Sequence, residues 1–162
     1  MKNKGNWTGW LLLLGLLLVH GGLNAQHRVL VHMDGNRLAV SGYDTVAFFE
    51  EGRPVKGLPT YQVLHEGAAY WFSSAKNRSL FMEDPERYKP EFGGFCAVSL
   101  SRDILAGGDP TKYRVIENKL YLLHDEKALE QLDKEKLAQS ARRWEQKVER
   151  YGTPYVAAGI TR

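Results

Sequence analysis

One cysteine, Cys96, stands in 162 residues, so the chain cannot form an internal disulfide. Cys-x-x-Cys, His-Glu-x-x-His, Gly-x-Ser-x-Gly and a phosphate-binding glycine loop are all missing, which leaves no established catalytic set. Lysines and arginines are interspersed with acids and form no basic block with interleaved aromatics, so nucleic acid is not an expected partner. There are no internal repeats. The longest apolar run, Leu11 to Val19 interrupted by Gly15, falls short of the roughly 20 residues that a membrane-crossing helix needs.

That run has a different reading. Lys2 and Lys4 precede it and the small residues Gly21-Gly22-Leu23-Asn24-Ala25 follow it, the pattern of a secretory signal peptide over residues 1–25 with cleavage after Ala25. No cysteine follows the run to carry a lipid anchor. The expected product is periplasmic or secreted and is not an integral membrane protein. Removing the two lysines lowers the formal net charge from +3 to about +1. Residues 26–151 are long enough for one domain with its own core, and 152–162 read as a loose tail.

Hydrophobic periodicity predicts an α+β fold. A first strand is expected between Gln26 and Val40, broken by Asp34-Gly35-Asn36. Thr60 to Phe72 predicts a hairpin turning at Glu66-Gly67, and Tyr113 to Leu123 a second one turning at Glu117-Asn118. Between them lies a central helix capped by Ser73 or Ser74 and ended by Pro85. Cys96 to Leu100 is open to either strand or helix. Asp125 caps a short helix, and a long one follows from about Asp133 to Tyr151 with Leu137, Ala141, Trp144 and Val148 as its buried stripe. The expected architecture is a small antiparallel sheet built from the hairpins, with the central helix and the long C-terminal helix packed on it.

Tyr88-Lys89-Pro90-Glu91-Phe92-Gly93-Gly94-Phe95-Cys96-Ala97 is the most distinctive stretch, because Gly-Gly allows positive φ or a close backbone approach just before the only thiol. Other blocks accompany it: Gly42-Tyr43-Asp44-x-Val46-Ala47-Phe48-Phe49, Gly67-x-x-Tyr70-x-Phe72-Ser73-Ser74, Asn77-Arg78-x-x-Phe81, Asp84-Pro85-Glu86-x-Tyr88-x-Pro90, Asp109-Pro110 and Lys119-Leu120-Tyr121-Leu122. Together, over about residues 38–147, these resemble the YHS domain family in its stand-alone exported form. The resemblance implies the fold and the Gly93-Gly94-Phe95-Cys96-Ala97 turn, and it defines no biochemical role. Metal-handling members of the wider family carry cysteines at the positions of Ser73 and Asn77, and neither residue here is a thiolate ligand for a soft metal.

Chemistry then rests on Cys96 and the histidines. As a ligand, Cys96 needs partners, and His65 and His124 on the two hairpins are the candidates, with copper or zinc as the ion. As a nucleophile in a thiol-dependent redox enzyme, it needs exposure and a nearby positive charge. As a core residue in a structural partner-binding domain, it needs only its apolar neighbours. His27 and His32 form a separate candidate near the new N-terminus. Asp44 is expected to fix a turn through its carboxylate, with Tyr43 beside it. Gly93, Gly94 and Phe95 are expected on the wall of any site, and Asn77 and Arg78 are candidates to hold the Gly-Gly turn. The expected function is an exported binding or accessory protein acting in copper or zinc homeostasis, with an unidentified protein or metal ion as partner.

Overall fold

The computed structural model describes residues 30–151, so the signal-peptide reading, His27 and the tail lie outside the described residues. The fold is α+β. Its elements are α1 (Ala47–Glu50), β1 (Leu58–His65), β2 (Ala68–Phe72), α2 (Ala75–Glu83), α3 (Pro85–Tyr88), α4 (Ala97–Ser101), β3 (Asp109–Ile116), β4 (Lys119–Leu123), α5 (Glu126–Gln131) and α6 (Lys134–Tyr151). Two short 3-10 turns, Val40–Gly42 and Glu91–Gly94, stand at the glycine-containing motifs.

Both hairpins form where the turn residues predict. Glu66 and Gly67 take φ of 50° and 79°, Glu117 and Asn118 take 52° and 58°, and two consecutive positive values are what a tight two-residue hairpin loop requires. β1 pairs only with β2 and β3 only with β4, so there are two separate two-stranded sheets rather than one. The predicted first strand is reduced, among the described residues, to isolated bridges from Met33 to Ala39 and from Leu38 to Ala69. Asp34 explains this: its carboxylate accepts from the backbone of Asn36 and Leu38, which curls the chain into a turn.

β4 divides the interior. Leu120 and Leu122 point into a core with Val46, Phe48, Tyr70, Phe72 and Phe81, whereas Tyr121 and Leu123 point into a second core with Phe92, Cys96, Val98 and Leu100. A strand buried on both faces has no polar side to present, which is why Leu120-Tyr121-Leu122-Leu123 is a continuous apolar run rather than an alternating one. β2 by contrast faces one core only. Ala68, Tyr70 and Phe72 are buried, while Ala69 and Trp71 are half-buried on its other side.

Helix boundaries follow their caps. Ser74 accepts from Asn77 N at the start of α2, Asp84 from Arg87 N at the start of α3, and Asp125 from Ala128 N at the start of α5. The segment after Cys96 is helical, with Cys96 itself at the cap position. On α6 the buried stripe differs by one residue from the expected one. Ser140 is fully buried and Ala141 is exposed, because the Ser140 hydroxyl donates to Ala97 O at 2.6 Å and so ties α6 to α4. Among the described residues no helix is long and apolar enough to cross a membrane.

Candidate functional site

Asp44 is fully buried and its carboxylate accepts five hydrogen bonds. Oδ1 takes the N–H groups of Val46 (2.9 Å) and Ala47 (3.2 Å), the local turn expected from sequence. Oδ2 takes Ser73 N (2.7 Å), Ser73 Oγ (2.6 Å) and Asn77 Nδ2 (2.8 Å) from the β2–α2 junction. A buried charge is tolerated when donors saturate it in this way. Asp44 therefore joins two segments, and Ser73 and Asn77 are its donors. Arg78 donates to Gln62 O instead (3.2 Å), so neither Asn77 nor Arg78 holds the Gly-Gly turn. Tyr43 is half-buried beneath the Lys56 ammonium, 3.9 Å from its ring centre.

The Gly-Gly turn is held by close approach. Gly93 has φ of +59°, and a Cβ there would lie 2.0 Å from Leu30 O and 3.0 Å from the Trp144 ring. Its carbonyl accepts from His32 N at 2.8 Å, so the incoming chain is strapped across the turn. Gly94 O accepts from Gly108 N, and Phe95 is buried against Leu30 and Trp144, with the His32 ring edge-on to it at 5.3 Å. His32 is pushed below the ordinary histidine pKa by burial, against a smaller upward pull from Asp34.

Cys96, His65 and His124 are not brought together. Cys96 is buried in the second core, where Sγ accepts the Ser99 N–H at 3.4 Å and caps α4. His124 is exposed and its Nδ1 lies 3.1 Å from Gly107 O. His65 packs edge-on to Phe81 at 5.6 Å and Tyr70 at 6.2 Å, in the first core. The hairpins carrying the two histidines are separate sheets, so the convergence expected of strands in one sheet does not arise.

His65 has different neighbours. Its Nε2 is sealed from solvent, has no hydrogen-bond partner and stands 3.8 Å from Glu66 Oε2. Burial lowers the pKa of His65; Glu66 pulls it up, Lys89 down and Glu86 up by smaller amounts, so the imidazole is neutral at pH 7. His65, Glu66 and Glu86 bring their ligand atoms within 4.8 Å of one another, the one such grouping of three among the described residues. The Lys89 ammonium bridges the two acids at 2.7 Å from Glu86 Oε1 and 3.4 Å from Glu66 Oε1. Beside this group opens a cleft of about 310 Å³ whose walls include Glu66, Tyr70, Lys89, Phe92, Gly93 and Trp144.

The cleft lies between the Gly93 turn and the β1–β2 hairpin. Cys96 is not on its wall, and the carboxylates at its mouth are absent from the candidates read in the sequence. A local signal existed: His65-Glu66 is adjacent at a hairpin turn, and Glu86 and Lys89 are three apart across α3. The packing of α3 against the hairpin turn had no such signal. In comparisons with known proteins, the chain matches no family model, no curated protein and no solved structure.

Proposed function

We propose that this chain is an exported binding or accessory protein of the YHS type, acting in metal homeostasis, with its ligand site at the cleft between the Gly93 turn and the β1–β2 hairpin. One observation carries this reading. The only thiol is sealed in the second core and capped by a backbone N–H, whereas Glu66, Glu86 and Lys89 gather at the mouth of an open cleft. A thiol-dependent redox enzyme needs an accessible sulfur near a positive charge, and Cys96 has neither exposure nor an ion-pair partner among the described residues. The apolar run with its small-residue exit supports export.

The test has two arms. A thiol-specific reagent should label Cys96 in the native protein only at the rate of global unfolding; rapid stoichiometric labelling would favour the redox reading. Nuclear magnetic resonance titration with zinc, copper(II) and copper(I) should perturb the amides of Glu66, Lys89 and Gly93 in wild type and Cys96→Ser alike. Perturbation centred on Cys96 and lost in the serine variant would return the site to the sulfur.

A further inference from the structure

Among the described residues, cation-binding groups gather where β1 turns into β2. His65 ends β1, Glu66 begins the turn, and Glu86 projects from α3 across from it. We propose that His65 Nε2, a Glu66 carboxylate oxygen and a Glu86 carboxylate oxygen form a binding site for a borderline divalent cation of the zinc class, with the Lys89 ammonium as the built-in cation that the metal displaces. This rests on the cleft reading above and gives it a ligand class.

Four observations carry the inference. First, the donor set is one imidazole nitrogen and two carboxylate oxygens, three protein ligands of the kind that hold zinc with a fourth position left for water. Sulfur is not among the donors, which disfavours copper(I). Second, His65 Nε2 is a buried polar atom with nothing bonded to it, an arrangement that costs free energy unless something fills the gap between it and the carboxylates. Third, the ring is already oriented by edge contacts to Phe81 and Tyr70, so little ordering is needed at that ligand. Fourth, the acids already hold a cation in common. Lys89 Nζ lies within 3.4 Å of one oxygen from each, so the geometry that collects one positive charge is present.

Separations of up to 4.8 Å between ligand atoms exceed the roughly 3.3 Å edge of a tetrahedral zinc site with bonds near 2.0 Å. Closing the set requires a movement of Glu86, whose side chain is 70% exposed and has room to turn. Lys89 must leave at the same step, because an ammonium and a dication repel when they share two carboxylates. The lining of the neighbouring cleft includes a further carboxylate, Glu91, which pairs with Lys119 at 3.4 Å.

The experiment is calorimetric titration of the purified protein with zinc chloride, using wild type, His65→Gln, Glu86→Gln, Lys89→Met and Cys96→Ser, with folding of each checked by its amide spectrum. One equivalent should bind to wild type and to Cys96→Ser with the same affinity. His65→Gln and Glu86→Gln should each weaken binding by on the order of tenfold or more, and Lys89→Met should tighten it by a similar factor. Glu86 is largely exposed, so its variant remains informative should His65→Gln fail to fold. Absence of zinc binding to wild type, or affinity unchanged in both ligand variants, overturns the site. Zinc binding lost only in Cys96→Ser overturns the site and the cleft reading together, whereas affinity unchanged in all four variants overturns the site alone. Loss in the ligand variants without tightening in Lys89→Met overturns the role of Lys89 and leaves the three ligands.

Discussion

Asn77 Nδ2 donates to Asp44 Oδ2 at 2.8 Å across 33 residues of chain, inside a protein interior that water does not reach. This bond, with two from Ser73, fixes the loop before α1 to the start of α2. The Ser73 hydroxyl and the Asn77 amide are thus both engaged in hydrogen bonds to a buried acid.

Asp44→Ala should therefore be among the most destabilising single substitutions in the domain. It strands the donors of Ser73 and Asn77, and the expected loss is on the order of 3–5 kcal/mol. Asn77→Ala removes one of the three donors on Oδ2 and should cost about 1–2 kcal/mol. Urea unfolding of both variants checks the ranking, and equal losses would show that Asp44 does not depend on its donors as described.

Gly93→Ala and Gly52→Ala test close approach against backbone conformation alone. Both glycines have positive φ, but a Cβ at Gly52 meets nothing within 4 Å, whereas at Gly93 it meets Leu30 O. Gly52→Ala should cost about 1 kcal/mol from the left-handed backbone. Gly93→Ala should cost clearly more, because Leu30 must also move and the His32–Gly93 bond with it. Thermal melting of the two variants side by side measures the difference.

Cys96 acts as a helix cap in an apolar core. Cys96→Ala removes the acceptor for Ser99 N–H and leaves a small void, an expected loss of about 1–2 kcal/mol. Cys96→Ser keeps an acceptor at the cap and should lose less. A serine variant less stable than the alanine variant, by urea midpoint, would mean that apolar packing outweighs the cap.

Stability should fall as the solution becomes acidic below about pH 6.5, partly through His32. Its folded-state pKa lies below the unfolded value, so the unfolded chain binds the proton more readily. The contribution is complete above the unfolded pKa and is lost as pH falls through the depressed folded one. His32→Gln should flatten the dependence of the urea midpoint on pH in that window. An unchanged slope would assign the effect elsewhere, with His65, also depressed by burial, as the next group to replace.

Local patterns in the chain are enough for the two hairpins, for the helices α2, α5 and α6, and for several of their ends. Gly67 and Asn118 mark the hairpin turns because glycine and asparagine take positive φ more readily than other residues. Ser74, Asp84 and Asp125 mark helix starts because a short acceptor side chain reaches a backbone N–H three residues on. Such signals act within a handful of residues and survive in the bare sequence. Ser140 reads as solvent-facing, and Ala141 as the buried position, until the acceptor of the Ser140 hydroxyl, Ala97 O, is in place 43 residues away.

By itself, then, the sequence determined the turns, the caps, the apolar strand β4 and the left-handed Gly93 corner, all consequences of steric and hydrogen-bonding rules that act over short separations. Tertiary structure alone decided which side chains meet. It kept His65 and His124 apart by placing the two hairpins in different sheets, and it gave Asp44 its donors from the β2–α2 junction. It also set Glu86 of α3 and Lys89 just after it beside His65 and Glu66. The physical reason is that these encounters depend on how two cores pack against the two faces of β4, and no residue's immediate neighbours in the chain encode that packing.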